Sequence, residues 1–200
     1  MQAEEIDRKE RVVNAAWEVF ARFGYLKASM NDIAIAANVS KSVLFKYYQT
    51  KENLYRTVFW RAADEIAAAD AEAIAQHEAG EHVFSAMRRT VDVRMRLFSR
   101  APYVYAFSYA AAYDASALSR ELTREAISRA RQTGGGEDMY RGLRDDISPL
   151  QARQLIFWMS QGFLGDKLAG GLLEPEALKR EYTEWIDIME RLLLKKQGEV

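Results

Sequence analysis

An all-α fold is what this sequence predicts, with a short three-helix unit at the N-terminus followed by a larger helical region. Three observations carry the prediction. Apolar residues recur at three- and four-residue spacing almost throughout, rather than alternating as in half-buried strands. Only three prolines interrupt 200 residues. Helix start signals, in which Ser or Thr precedes a side-chain acceptor or a proline, punctuate the chain at regular intervals. With 49% hydrophobic and 28% charged residues the chain can bury a sizeable core, and its length suits one or two domains.

The first helix is predicted from about Asp7 to Phe23, because Val12, Ala16, Val19, Phe20 and Phe23 form one stripe, and Gly24 ends it as a C-cap. Ser29 with Asp32 three residues on is a capping box that starts a second helix ending near Ala37. Ser40 caps a third from Lys41 to about Tyr47, and Thr50 caps a long fourth from Lys51 towards Ala75. Two helices of about two turns cannot stand alone, so the first and fourth must hold them. Beyond lie an amphipathic helix from about His82 to Ser99, and a segment after Pro102 carrying Tyr105, Tyr109 and Tyr113 at i, i+4, i+8. A helix from about Ser116 to Gln132 follows. Gly134-Gly135-Gly136 opens a flexible loop towards Ser148. Ser148-Pro149 with Gln151 begins the next helix, and the last follows Glu174-Pro175 with Leu178, Tyr182, Trp185, Met189 and Leu192 on one face.

Composition removes several classes of function. No cysteine is present, which excludes disulfides, thiolate nucleophiles and cysteine-bound zinc and agrees with a reducing, cytoplasmic setting. The two histidines, His77 and His82, lie among polar residues, so neither a metal nor another cofactor is expected. The acidic start Glu4-Glu5 does not resemble a secretory signal, and the longest uncharged run, Ala101 to Tyr113, is too short to span a bilayer. Nucleophile elbows and phosphate-cradling glycine loops are missing, so no catalytic residue is nominated. The formal charge of -1 conceals a local excess: between Arg8 and Arg56, nine Lys/Arg stand against four Asp/Glu, a difference of +5. Local charge sets the field that a phosphate backbone meets.

Within this basic segment, Ile33-Ala34-Ile35-Ala36-Ala37-Asn38-Val39-Ser40-Lys41-Ser42-Val43-Leu44 satisfies the sterics of a helix-turn-helix. Ala34 and Ala37 are small where two helices cross, Ile33, Val39 and Leu44 fill a shared core, and Asn38 tolerates the positive φ that the turn needs. Gly24-Tyr25, Ile33-Ala34-x-x-Ala37, Val39-Ser40-Lys41-Ser42-x-Leu44-Phe45-x-Tyr47-Tyr48 and Lys51-Glu52-x-Leu54 together resemble the TetR family of regulators over about 50 residues. Asn38 and Ser42 stand where that family usually has glycine. The resemblance implies that Lys41, Ser42, Phe45, Lys46 and Tyr47 face double-stranded DNA from a recognition helix. It also implies that Lys27, Ser29 and Lys51 hold phosphates from neighbouring helix starts.

The rest of the chain agrees with that family in length and helical pattern. The resemblance implies an effector cavity in the aromatic-rich central region, for which Met95, Phe98, Tyr105, Tyr109, Tyr113 and Trp158 are the candidates, and a packed core is the alternative. Leu155 to Met159 is apolar around the whole helical circumference and must be buried on more than one side. It resembles, with the final helix, the family's dimer-forming pair, which nominates Ile156, Met159, Phe163, Tyr182, Trp185 and Met189 for a homodimer interface. The sequence therefore predicts a DNA-binding domain at 1–53 and an effector and dimer domain at 54–200. The expected activity is repression from a palindromic operator, relieved by a small, largely apolar effector. Rival readings are a DNA-binding regulator without an effector and a small helical enzyme.

Overall fold

A computed structural model describes residues 2–75, 81–133, 137–170 and 174–195. His77 and the Gly134-Gly135-Gly136 loop fall outside the described residues. Among the described residues the regular structure is nine α-helices, one short 3-10 turn at Glu137–Tyr140 and an isolated antiparallel bridge between Leu143 and Leu194. The helices are α1 (Gln2–Lys27), α2 (Met30–Ala36), α3 (Lys41–Tyr48), α4 (Lys51–Ala75), α5 (Val83–Arg100), α6 (Tyr103–Tyr113), α7 (Ala117–Thr133), α8 (Pro149–Gly170) and α9 (Pro175–Leu193).

The start signals act as their chemistry predicts. The Ser29 hydroxyl accepts the Asp32 N–H at 3.1 Å while Asp32 accepts the Ser29 N–H at 3.2 Å, closing a capping box on α2. Thr50 accepts the N–H of Asn53 at 3.0 Å, and Ser148 and Gln151 form a second reciprocal box at the start of α8. The end of α2 is a Schellman turn. Asn38 has φ 52°, its N–H donates to the Ile35 carbonyl, and Val39 N–H reaches back to Ala34. Helix α1 departs from expectation. It begins earlier, at Gln2, and its helical hydrogen bonding resumes past Gly24, which breaks the run at φ 69°, ψ 170°. Phe23, expected on the apolar stripe, is exposed because the stripe ends with Phe20 before this break.

The chain forms two compact units, which do not divide at residue 53. One comprises residues 1–67 and 100–132, the other 68–99 and 133–200. In the first, Trp17 and Phe20 of α1, Ile33 of α2, Leu44 of α3, Leu54, Tyr55 and Val58 of α4, Phe107 of α6 and Leu122 of α7 are fully buried. Tyr55 sits at the centre of an aromatic cluster, edge-on to Phe20 at 4.8 Å and to Phe107 at 5.6 Å between centroids. Its hydroxyl donates to Ser119 Oγ at 2.5 Å, since the Ser119 proton is used on the Ala111 carbonyl at 3.0 Å. These buried bonds and rings explain why α6 and α7 belong with the N-terminal helices. A division at residue 53 is drawn by the turn signals, which carry no information about such long-range contacts.

In the second unit Val83, Phe84 and Val91 of α5 pack with Ala152 of α8 and with Ile186, Met189 and Leu193 of α9. Arg88 bonds both Asp187 and Glu190 of α9, Lys179 pairs with Asp92 at 2.8 Å, and Arg94 forks onto Asp70 with both bonds at 2.9 Å.

Candidate nucleic-acid interface

Helix α3 divides its residues by face. Leu44 is fully buried, Val43, Tyr47 and Tyr48 are half-buried, and Lys41, Ser42, Phe45 and Lys46 are exposed. The period of the helix produces this separation, because Leu44 and Tyr48 lie one turn apart on the inward side. Tyr47 lies beneath the Lys9 ammonium, 5.2 Å from the ring centroid, and Lys41 Nζ stands 5.8 Å from the Phe45 ring. Ser42 Oγ is 2.9 Å from Ser40 Oγ, and Ser40 in turn caps the helix through the Val43 N–H. The first turn of α3 thus holds its outward groups in a fixed arrangement, with Lys41 beside Phe45 and Lys46 at the end of the helix.

Lys27 is exposed at the end of α1, and Ser29 spends its hydroxyl on the α2 capping box. Lys51 differs from the role expected of it. Its ammonium donates to the carbonyls of Tyr25 at 2.8 Å, Ala28 at 3.1 Å and Leu26 at 3.3 Å, using all three protons. The same ammonium lies 4.6 Å from the Tyr25 ring centroid. The orphan carbonyls at the end of α1 attract it, because they carry the negative end of the helix dipole and lack intrahelical partners. Lys51 is therefore a structural cap for the turn between α1 and α2.

A second clamp on the same turn was not visible in the sequence. Asp114, between α6 and α7, accepts the Tyr25 N–H on Oδ2 at 2.9 Å and the Ser116 N–H on Oδ1 at 2.7 Å. Burial disfavours its charge, yet hydrogen bonds from the Ser116 hydroxyl, the Ser116 N–H and the Tyr25 N–H outweigh this and hold its carboxyl below the ordinary aspartate value. A Cβ at residue 24 would stand 2.8 Å from Asp114 Oδ2, and the backbone there is of a kind that only glycine adopts easily. Gln49, at the end of α3, is a further surprise, with φ 61° and ψ -49° and the Thr50 N–H closing onto the Tyr48 carbonyl at 2.6 Å. That γ-turn is of the rare positive-φ kind, and glutamine carries no turn signal that would reveal it.

Charge on the first unit is distributed unevenly. Lys9, Arg11, Arg56 and Arg61 are paired with Glu5, Asp7, Glu52 and Glu10 respectively, Arg56 also reaching Glu121, while Lys27, Lys41 and Lys46 stand exposed.

The remaining nominated residues fall into separate groups. Tyr105, Tyr109 and Tyr113 belong to the first unit, with the Tyr109 and Tyr113 rings 4.9 Å apart and Tyr113 66% exposed. Met95, Phe98 and Trp158 belong to the second, where Met95 packs on the core, Phe98 is buried and Trp158 is 58% exposed. Such exposure does not suit an enclosing pocket wall for either Tyr113 or Trp158. Of the interface candidates, Met189 is 1% exposed within its own unit, so it is a core residue, and Ile156 packs against the same core. Met159, Phe163, Tyr182 and Trp185 line a half-open pocket of about 300 Å³ between α8 and α9, with Asp166 and Lys167 at its edge. Leu155, Phe157, Trp158, Trp185 and Leu192 leave an exposed apolar surface on these two helices.

Residues 12–58 match the family model described as bacterial regulatory proteins, tetR family. Over 91 residues, 46% of this chain, the sequence is 35% identical to the HTH-type transcriptional activator FasR of Mycolicibacterium smegmatis, covering 36% of that protein. Over 54 residues it is 37% identical to an uncharacterised HTH-type transcriptional regulator, YhgD, of Bacillus subtilis, covering 27% of this chain and 28% of the relative. The matched region thus spans about a third of the length of these curated relatives. In three dimensions the chain resembles the ketosteroid transcriptional regulator KstR2 of Mycobacterium tuberculosis, with a TM-score of 0.71, 15% identity and coverage of 94% of this chain and 95% of the other.

The clamp on the Tyr25 turn has a measurable consequence. Because the Asp114 carboxyl is held below its ordinary value of 3.8, its contribution is fully present above that pH and fades as acid takes the group through its lower folded value. Asp114→Ala should lower the stability to urea at pH 7 by about 1 kcal/mol, a modest figure because the group is partly solvated. The deficit should shrink as the pH falls below 3.8 and acid protonates the folded carboxylate. A deficit that persists unchanged in acid would show that the carboxylate's charge is not what holds the turn.

Proposed function

We propose, from the premise that residues 12–58 give this chain the N-terminal module of the tetR family of bacterial regulatory proteins, that it regulates transcription by binding duplex DNA as a homodimer. The exposed face of α3 carries the reading. A capped two-turn helix presenting Lys41, Ser42, Phe45 and Lys46 to solvent, with Leu44 fully buried beneath and α2 packed beside it, matches what a major groove requires of an inserted helix. Lys41, Ser42, Phe45, Lys46 and Tyr47 meet the groove and its flanking phosphates, with Lys27 and the helix starts near Ser29 and Lys51 outside them. The paired cations on α1 and α4 contribute less, since their carboxylate partners already neutralise them.

The exposed apolar surface of α8 and α9, which a solitary chain would leave in water, supports the dimer. Two copies related by a two-fold axis present two reading heads to a palindrome. Regulation runs through a small, largely apolar effector whose binding favours a dimer geometry that fits DNA poorly. The tyrosine row of α6 and the apolar character of the second unit support such an effector, as does the description of the structural neighbour KstR2 as a ketosteroid regulator. Repression is the sign proposed for the unliganded protein.

Three outcomes test this reading. The affinity for a duplex selected from a random library should fall steeply with salt. Lys46→Ala or Lys41→Ala should each reduce the slope of log affinity against log salt by about 1. A flat salt dependence of the wild type would remove the DNA assignment. Trp185→Glu should sediment as a monomer, since an unpaired carboxylate is too costly at the centre of an apolar interface. A variant that stays dimeric places Trp185 elsewhere. A screen of apolar small molecules should yield one that raises the melting temperature by about 5–10 °C at a free concentration about 100 times its Kd. The same molecule should release the duplex, and stabilisation without release would leave a regulator that does not respond to it.

A further inference from the structure

The outward face of α3 contains one group that attraction to phosphate does not explain. Lys41, Ser42 and Lys46 are polar, yet Phe45 among them keeps 39% of its surface exposed. The neighbouring core positions Leu44 and Ile33 are fully buried, whereas this ring is left partly in water. Phenylalanine has no hydrogen-bond donor or acceptor, so it can bond neither to a phosphate oxygen nor to a polar base edge. The ring is also held in place. Lys41, one turn earlier, sets its ammonium 5.8 Å from the ring centroid, and the Ser40 cap with its 2.9 Å partner Ser42 fixes the turn from which both side chains project.

On the major-groove edges of the four base pairs, the one apolar group is the C5-methyl of thymine. We propose that Phe45 is a sequence-reading residue that packs against a thymine C5-methyl in each half of the operator. The proposal rests on the DNA-binding reading above and deepens it, since it names what one residue of that face recognises. In this arrangement Lys41 and Lys46 supply affinity without regard to sequence, and Phe45 selects thymine at one or two neighbouring positions per half-site. A ring that met only the sugar-phosphate backbone would give no such selection.

The full-length protein is used to select a duplex from a random library, and each thymine of that duplex is then replaced singly by deoxyuridine. This exchange removes one methyl group and leaves every hydrogen-bonding group in place. At one or two positions per half-site the replacement should raise Kd about three- to tenfold. Phe45→Ala should bind the thymine and uracil duplexes alike, with an affinity near that of the wild type on uracil. Phe45→Leu, which keeps apolar bulk, should retain part of the discrimination and serves if the alanine variant binds too weakly to measure. Indifference of the wild type to deoxyuridine at every position overturns the proposal, as does a penalty of equal size in the Phe45 variants. Failure to retain any duplex from the library overturns the DNA-binding reading itself, and the proposal with it.

Discussion

The turn from Gly24 to Ala28 is held from two sides, and the placement of the short helices depends on it. Lys51 grips its carbonyls from the start of α4, and Asp114 grips the Tyr25 N–H from the α6–α7 corner. Helices of seven and eight residues, such as α2 and α3, do not persist alone, because nucleation costs more than two turns return. They are stable here because this clamped turn delivers the chain into α2 while Ile33 and Leu44 bury themselves against α1 and α4. Glycine at position 24 is what allows the close approach, since a side chain there would meet the Asp114 carboxylate.

The same clamp gives the division of the chain a mechanical meaning. Helices α6 and α7 share a unit with the N-terminal helices through the Tyr55–Ser119–Ala111 hydrogen bonds and the Phe20–Tyr55–Phe107 ring cluster. A displacement of α6 would reach the turn that precedes α2 through few intermediaries, Asp114 and the Tyr25 N–H, and Lys51 ties the same turn to α4. Packed rings and satisfied buried bonds shift between discrete arrangements rather than deforming smoothly.

Electrostatics separates two uses of lysine that sequence alone treats as one. Lys46 and Lys51 lie five positions apart in the same basic run. Lys46 extends into solvent, whereas Lys51 has exchanged its water for three backbone carbonyls. The local excess of positive charge is therefore smaller at the surface than the residue count suggests. Lys27, Lys41 and Lys46 remain exposed, as does Arg22 on α1.

The helices, their capping boxes, the positive φ of Asn38 and the buried and exposed faces of α3 were legible in the sequence, because each depends on residues within a few positions of one another. The basic helix-turn-helix was legible for the same reason. Tertiary structure alone decided that Lys51 caps α1, that Asp114 reaches across 89 residues to Tyr25, that α6 and α7 join the N-terminal unit, and that Met189 is core while Trp158 faces outward. An apolar position at helical spacing announces that something covers it, but not whether the cover comes from the same unit or from a second copy. A polar side chain likewise declares its donors and acceptors without naming partners, since those are brought together only when distant segments close on a shared core.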